Sequence, residues 1–504
     1  MAATFLLLTA CREVTPGLHH ADAPAYPEAK SPLSQAEFRT TDGTIAVANL
    51  QAQIDGEERL ASYGPLSVAQ RAGIAELIAM RGQFTGRIAD YEQAEQIAER
   101  LVREAPDDPV SFLARAQARS TFHRFPEALA DLEQAERLGL NGERVESLRA
   151  AVDQATGHFA EALAVRQRTA HARPDLRSLG AEASVRADRG DIEEAERLFT
   201  QAPHHYRDVS PFPIAWLYFQ QGSMWMREGR LERARTLFEA AHQRLPAYAA
   251  AQGHLAEAEA ALGGYSRAID LLRPLAQDSD DPDYAAQLAR ILGEAGRSED
   301  AARWRDTAAK RYDDLIARHP EAFADHAAEF WLGAGNDPGR ALKLARMNLT
   351  VRRTPRAFEL VLQAALAAGD TAVACDAATQ AAALPHLWPA LCTLTSRALT
   401  ACQAPRVVPP CRSSRATEAP QNTPPENSGP MMAGSPGDRI VRAQARLQPA
   451  VHLLGRVPGN FEIMSARTMA DQSAGSPMRR ARSLNRGSER RGSNRGSELR
   501  EARE

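Results

Sequence analysis

The sequence predicts an all-α fold in which paired helices stack along the chain as an α-solenoid. An alanine recurs at intervals of 33 or 34 residues, with two longer intervals of 39 and 40. The nine positions are Ala94, Ala128, Ala162, Ala195, Ala234, Ala268, Ala301, Ala341 and Ala374. Aromatic residues make up only 6% of the 504-residue chain. A period of this length, with few aromatic residues and abundant Ala, Leu, Glu and Arg, favours repeated helix pairs over sheet.

A glycine stands five residues before six of these alanines and is expected to end the first helix of its pair. The six are Gly157, Gly190, Gly229, Gly263, Gly296 and Gly369. Glycine adopts the left-handed conformation that ends a helix without steric cost. Each anchor alanine is expected in the second helix, where two backbones approach closely and a larger side chain would cost roughly 1–3 kcal/mol.

Two further positions support the pairing. The side chain four residues after the anchor lies on the same helical face and is expected in the core. Its occupants include Leu132, Phe199, Phe238 and Leu272. A proline follows the second helix in three repeats, and we expect it to mark the helix end. These prolines are Pro106, Pro174 and Pro246.

The stretch from Trp216 to Pro246 contains the fullest version of the repeat. Its marker residues are Tyr218, Gln221, Gly222, Trp225, Ala234, Phe238, Ala241 and Pro246. This order resembles the tetratricopeptide repeat (TPR) consensus, with Gln221 in place of the usual leucine. The resemblance implies a right-handed superhelix of about nine to ten helix pairs over residues 67–400. No pair is expected to bury its apolar face alone.

The longer intervals are expected to contain insertions. Residues 201–213 read as a loop, and residues 308–326 are expected to lengthen one helix. Insertions in solenoids often lie on the binding face. His204 and His205 are adjacent in the first insertion, but they have no companion ligands, so no metal site is expected.

The N-terminus resembles a lipoprotein signal. The apolar residues 1–10 precede Cys11, and Leu8-Thr9-Ala10-Cys11 resembles the bacterial lipobox, which implies lipidation of Cys11. The segment is shorter than an ordinary secretory signal and has no basic residue before Cys11. The alternative is an unstructured apolar end. Residues 12–66 are interpreted as a linker with a possible capping helix.

The C-terminal residues 401–504 are rich in Pro, Ser and Arg, and we expect a disordered tail. Its arginine-rich end is interpreted either as a basic segment or as a frameshift product. Cys402 and Cys411 could form a disulfide if the chain is exported. Cys375 is expected to be a small core residue.

The sequence shows no pattern of catalytic chemistry. It contains no GxxxxGK[ST], GxSxG or HExxH motif, so we expect no enzyme activity and no cofactor. The formal net charge of −3 gives no general attraction to nucleic acid. Protein or peptide partners are therefore expected, without nucleic acid, without a small-molecule substrate, and with membrane contact only through a lipid anchor.

By the TPR resemblance, partners bind on the concave face formed by the first helices. In the central repeat this face is expected to contain Trp216, Phe219, Ser223 and Arg227. The equivalent residues of neighbouring repeats are Gln117, Thr121, Gln154, Ser184, Asp188, Glu257 and Arg290. Trp216 and Phe219 are interpreted either as an exposed pair that binds a partner or as a private core under the preceding loop. The Lys/Asn clamp of chaperone-binding TPR proteins is absent.

Two functions fit these observations. The first is an envelope-associated, lipid-anchored scaffold that holds a peptide or helix in the groove and faces the periplasm. The second is a cytoplasmic adaptor or sensor that regulates a partner protein. The lipobox resemblance favours the first.

Overall fold

The computed structural model of the chain describes residues 39–402, all within the first of its two compact units, Met1–Ile463. In this range the chain forms twenty α-helices, one short 3-10 helix and no strand, so the predicted fold class is confirmed. The first ten helices are α1 (Gly43–Ala61), α2 (Val68–Thr85), α3 (Ile88–Glu104), α4 (Pro109–Thr121), α5 (Phe125–Arg137), α6 (Glu143–Thr156), α7 (Phe159–Ala172), α8 (Leu176–Arg189), α9 (Ile192–Gln201) and α10 (Phe212–Arg227). The others are α11 (Leu231–Arg244), α12 (Ala249–Ala261), α13 (Tyr265–Asp278), α14 (Pro282–Glu294), α15 (Ser298–Arg318), α16 (Pro320–Leu332), α17 (Pro338–Val351), α18 (Pro355–Ala368), α19 (Thr371–Ala381) and α20 (Pro389–Ala401).

Helices α2 to α19 form nine pairs, with α1 before them and α20 after them. Each helix packs against the next one along the chain. The predicted solenoid is thus confirmed for the described residues. No helix between residues 39 and 402 has the length and apolarity needed to cross a membrane. The expected lipidation of Cys11, the linker up to residue 38 and the tail from residue 403 onward lie outside the described residues.

The core follows the predicted repeat. Eight of the nine anchor alanines are buried, and Ala301 is half-buried. Leu132, Phe199, Phe238 and Leu272 are buried as expected. Ala301 differs because α15 is the longest helix of the described range, with 21 residues, and buries Ala308 and residues after it instead. The predicted lengthening of a helix at residues 308–326 is confirmed.

The turn inside each helix pair contains one residue with a positive φ. At seven of these turns the residue is a glycine. At the other two it is His123 (φ 56°) and Asn336 (φ 49°), which stand five residues before the anchors Ala128 and Ala341. Histidine and asparagine enter this backbone region more readily than most residues. The turn of each pair therefore requires a residue with a positive φ, which need not be glycine. The glycine pattern alone misses the turns at His123 and Asn336.

Residues almost two hundred positions apart touch each other. The N–H groups of Ile88 and Ala89 donate to the Asp280 carboxylate at 2.6 and 2.9 Å, the Arg353 N–H donates to the Thr156 carbonyl at 3.2 Å, and the Arg352 guanidinium donates to the carbonyl of residue 155. Most of these contacts join residues 191 to 204 positions apart in sequence, whereas the His386–Glu228 pair spans 158 positions and the His319–Glu92 pair spans 227. One turn of the solenoid therefore takes roughly six repeats of about 34 residues. We call these contacts between successive turns the seam.

The seam uses loops that carry the glycine marker. A Cβ at Gly157 would lie 2.6 Å from the Arg353 carbonyl oxygen, and a Cβ at Gly190 would overlap the His386 side chain. The His386 ring also pairs with Glu228 at 3.0 Å. Glycine at positions 157 and 190 is thus required for close approach as well as for its conformation.

The first insertion packs onto the solenoid. A 3-10 helix, Ala202–His205, lies against α8, and an irregular segment then leads to α10. The Tyr206 hydroxyl donates to the Ser210 carbonyl at 2.8 Å. The Val209 carbonyl accepts a hydrogen bond from the Thr41 N–H at 2.7 Å. The insertion therefore helps to attach the N-terminal end of the described chain.

The disulfide pattern differs from the expectation. Cys375 in α19 is bonded to Cys402, which follows α20, with the two Cα atoms 5.8 Å apart. Because α20 packs back along α19, it brings Cys402 beside a residue 27 positions earlier. The expected core thiol at Cys375 is therefore wrong, and the disulfide of Cys402 is made with Cys375 rather than with Cys411. Cys392 in α20 is also disulfide-bonded.

Candidate functional site

A cavity of about 710 Å³ is lined mainly by the first helices of successive pairs, from the end of α10 to α20. Each of these helices places at least one long polar side chain on its wall. These side chains are Arg227 (α10), Glu257 (α12), Arg290 (α14), Glu329 (α16), Gln363 (α18) and Arg397 (α20). We call them the polar ladder. Leucine, alanine and Phe330 side chains lie between them, so the wall is apolar with polar groups at regular intervals.

The ladder has a structural register. Glu257, Arg290, Gln363 and Arg397 are each the ninth residue of their helix. Helices that start alike and stack in parallel present equivalent positions to the same side. Glu329 is the tenth residue of α16, and Arg227 is the last residue of the longer α10.

Two buried groups on the cavity wall have unused acceptor atoms. The Glu257 side chain is 1% exposed; its Oε2 lies 3.3 Å from His254 Nδ1, and its Oε1 has no hydrogen-bond partner. Gln287, on the same wall, is 6% exposed, and its Oε1 has no hydrogen-bond partner. A buried acceptor without a donor is energetically costly. Neither oxygen accepts a hydrogen bond, and both oxygens are themselves closed to solvent.

Behind the ladder lies a network of buried charges. Arg356 pairs with Glu329 and lies 3.5 Å from Glu359, which accepts a hydrogen bond from the Trp388 indole at 3.1 Å. Burial lowers the pKa of Arg356, and the charges of Glu359, Asp325 and Glu257 act against that shift. The network therefore holds Arg356 in place with carboxylates on several helices.

A second part of the network reaches α14 and α15. Arg352 pairs with Asp325 at 3.0 Å, and His326 Nδ1 lies 2.7 Å from an Asp283 carboxylate oxygen. The Tyr312 hydroxyl donates to Asp283. Burial alone would raise the pKa of Asp325, but the charges of His326 and Arg352 lower it overall. No group of three or more His, Cys, Asp or Glu residues within 39–402 is arranged to hold a metal ion.

The three arginines of the ladder differ in their ion pairs and in their exposure to solvent. Arg227 pairs with Asp188 at 2.9 Å, and Arg290 pairs with Glu294 at 2.9 Å. Arg397 is exposed. A ligand carboxylate would therefore meet a cation more readily at Arg397 than at Arg227 or Arg290.

Residues 226–291, from the end of α10 into α14, match the family model described as tetratricopeptide repeat. The chain carries tetratricopeptide repeats. Their two-helix unit is the one seen in all nine pairs of the described range. No curated protein sequence matches the chain.

Several solved structures are similar to this TPR chain at low identity. A human IFIT1 dimer with PPP-AAAA is 17% identical, covers 66% of this chain and 77% of that chain, and has a TM-score of 0.39. The Cut9–Hcn1 hetero-tetramer of the APC/C is 14% identical, covers 66% and 67%, and has a TM-score of 0.38. Naa15/Naa10 bound to HypK-THB is 14% identical, covers 70% and 66%, and has a TM-score of 0.23.

The central aromatic pair of the TPR groove is not exposed. Trp216 is 4% exposed and Phe219 is 2% exposed. Phe219 packs between the rings of Phe238, Tyr248 and His254, at centroid distances of 5.2–5.8 Å. The two rings are therefore buried, as in the alternative of a private core, and α8, α9 and α11 pack against α10.

Other predicted groove residues form a chain of polar contacts across three first helices. Gln154 Nε2 in α6 donates to Ser184 Oγ at 3.1 Å and to Asp188 Oδ2 at 2.7 Å in α8. Asp188 pairs in turn with Arg227 in α10. The structure thus joins these four residues and continues them into the ladder.

The remaining predicted groove residues are distributed along the array. Glu257 and Arg290 stand in the ladder, Ser223 is buried, and the Thr121 hydroxyl donates to the Gln117 carbonyl at 3.0 Å within α4. A role in partner binding stays a prediction for all of them. The sequence patterns do not predict four residues of the cavity wall, which are Gln287, Glu329, Gln363 and Arg397. The signal was present, since the register that selects Glu257 and Arg290 also selects Gln363 and Arg397 once the prolines that start α18 and α20 are recognised.

Proposed function

We propose that the chain is a scaffold that binds a segment of another protein in the cavity along the polar ladder. One observation carries the proposal. Five consecutive first helices and the final helix α20 each contribute a long polar side chain to a single cavity with apolar side chains between them. A volume of about 710 Å³ is typical of a site that encloses a few side chains. The occupant is therefore a short segment rather than a whole domain.

A polypeptide suits the cavity better than a nucleic acid does. The wall contains Glu257 and Glu329 beside three arginines, of which Arg227 and Arg290 are already paired with carboxylates of this chain. Carboxylates repel phosphates, and nucleic-acid affinity depends on cations. A peptide presents donors, acceptors and apolar groups in turn, which is the composition of this wall.

The test begins with a displayed library of random short peptides, selected on the full chain. Affinity of the selected peptides is then measured by calorimetry for the unmodified chain and for Arg397→Glu. We expect this reversal of charge at the ladder to weaken binding about tenfold or more. The matched control is Arg103→Glu, an exposed helical arginine outside the cavity, which should leave affinity within about twofold.

Two results would overturn the proposal. One is the failure of any peptide to bind. The other is tight binding of a single-stranded RNA oligonucleotide that Arg397→Glu abolishes, since this would assign the cavity to nucleic acid.

We also propose that the scaffold is an envelope lipoprotein anchored through Cys11, with a cytoplasmic adaptor as the alternative. The Cys375–Cys402 disulfide supports export, because disulfides persist mainly in oxidising compartments. Cys11→Ser, expressed from the full gene, should move the protein from the membrane fraction to the soluble fraction. A protein that is soluble before the substitution, with its cysteines reduced, would contradict this location.

A further inference from the structure

We infer that the Cys375–Cys402 disulfide controls the affinity of the cavity for its polypeptide, because it holds α20 in the cavity wall. This inference rests on the proposed function and adds its regulation. The oxidised chain binds the polypeptide segment, and the reduced chain binds the same segment more weakly.

One side of α20 belongs to the cavity and the other side belongs to the core. Five residues of α20 line the cavity at intervals of one, three or four positions. These residues are Pro389, Ala390, Thr393, Leu394 and Arg397. On the other side of the helix, Leu391 and Ala398 are buried where α20 packs against α18 and α19. Any movement of α20 away from α19 therefore moves part of the cavity wall.

The two ends of α20 are attached in different ways. Just before its first residue, the Trp388 indole donates to the buried Glu359 carboxylate at 3.1 Å. Just after its last residue, Cys402 is bonded to Cys375 of α19. Arg397, the exposed arginine of the polar ladder, lies near this second end. The disulfide therefore holds the end of α20 that carries Arg397.

The second end of α20 depends on the disulfide because no helix follows α20 in the described range. A helix of 13 residues is only marginally stable without tertiary packing, and helix ends separate most readily. After reduction, the end that carries Arg397 is docked against α19 for only part of the time. The apparent dissociation constant of the cavity rises as the docked fraction falls.

The disulfide is open to a small dithiol reductant, since Cys375 and Cys402 are both only half-buried. A thiolate of the dithiol attacks one cysteine sulfur and releases the other cysteine as a thiolate. The second thiolate of the dithiol then attacks the mixed disulfide at the reductant's own sulfur and releases the remaining cysteine. The reductant becomes a cyclic disulfide, and the chain gains two electrons and two protons as two thiols.

The experiment measures the affinity of one cysteine-free peptide, selected from the displayed library on the oxidised full chain. Calorimetry is performed before and after treatment with dithiothreitol. We expect binding to become about tenfold weaker, which corresponds to a docked fraction of about one tenth in the reduced chain. Removal of the reductant and reoxidation should restore the affinity, which distinguishes this effect from irreversible unfolding.

Two cysteine variants identify the bond responsible. Cys375→Ser/Cys402→Ser should bind the peptide about tenfold more weakly from the start and should not respond to dithiothreitol. Cys392→Ser is the matched control, because Cys392 also lies in α20 and is also disulfide-bonded. This variant should keep the tenfold response, with the Cys375–Cys402 bond verified by mass spectrometry of an unreduced digest.

Thermodynamic reciprocity provides a second measurement. If oxidation strengthens peptide binding tenfold, saturating peptide must favour the oxidised chain by the same factor. The ratio of reduced to oxidised dithiothreitol that reduces half of the Cys375–Cys402 bonds should therefore rise about tenfold with peptide. A disulfide that only stabilises the fold, without holding the cavity wall, would not produce this shift.

The contrary outcomes are distinct. Equal affinities before and after reduction would overturn this inference while the proposed function stands. A response that persists in Cys375→Ser/Cys402→Ser but disappears in Cys392→Ser would overturn it as well, because another bond would then be responsible. Failure of every peptide to bind the oxidised chain would overturn the proposed function itself, and this inference with it.

Discussion

At the scale of single residues, the marker glycines divide into two groups. Gly190 (φ 96°) and Gly263 (φ 90°) have nearly the same backbone conformation, so an alanine strains both positions alike. They differ in their surroundings. A Cβ at Gly190 would overlap His386 across the seam, whereas nothing lies within 4 Å of a Cβ at Gly263. The pair therefore isolates the contribution of the seam contact.

We predict that Gly263→Ala costs about 1 kcal/mol of stability, from conformational strain alone. Gly190→Ala should cost roughly 1–3 kcal/mol more, because His386 must also move. Urea-denaturation midpoints of the two variants measure the difference. Equal midpoints would mean that the close approach at Gly190 contributes nothing to stability.

His123 predicts a pH dependence. Burial, together with the charge of Arg352, lowers the pKa of His123 to about 3 from an ordinary value of 6.5. Since the folded-state pKa is depressed, the neutral form stabilises the fold above pH 6.5, and this stability is lost progressively as the pH falls toward 3. At pH 5 the loss is about 2 kcal/mol.

His123→Asn provides the control, because asparagine does not titrate and adopts the same backbone conformation at Asn336. Thermal melts between pH 7 and pH 5 should show a smaller fall in melting temperature for this variant than for the unmodified chain. Identical pH profiles would show that His123 is not the group responsible.

At the scale of helices, α20 is the last helix of the described range and is tied to α19 by the Cys375–Cys402 disulfide. The disulfide closes a loop with a sequence separation of 27 residues, for which chain-entropy arguments give about 3–4 kcal/mol. Reduction should therefore loosen α20 first. We expect faster amide hydrogen exchange in α20 after dithiothreitol, with exchange in α2 unchanged. Uniform exchange across the chain after reduction would contradict this local role.

The helices also show how far sequence reasoning reaches. Local rules predict the all-α class, the repeat, the anchor alanines and the lengthened helix, since each depends on residues within one repeat. The exposure of Trp216 and Phe219 depends on how neighbouring helices cover α10, which no local rule determines. Of the ladder, the resemblance to the TPR consensus predicts only Arg227, Glu257 and Arg290.

At the scale of the whole described array, the seam is the feature that the sequence does not predict. Small rotations between neighbouring repeats add up over roughly six repeats before Thr156 meets Arg353 or Ile88 meets Asp280. A slight change in rotation at each step would separate these residues. The positions of the alanines and glycines do not determine this accumulated rotation, so the seam contacts cannot be predicted from them.

Repeat arrays whose units touch only their neighbours lengthen under tension with little resistance and lose structure gradually from their ends. This array has a second set of bonds, which joins its early loops to its late ones. Stretching it must break those bonds before any unit rotates freely. The coil should therefore respond to force as a stiff body up to a threshold and then open abruptly.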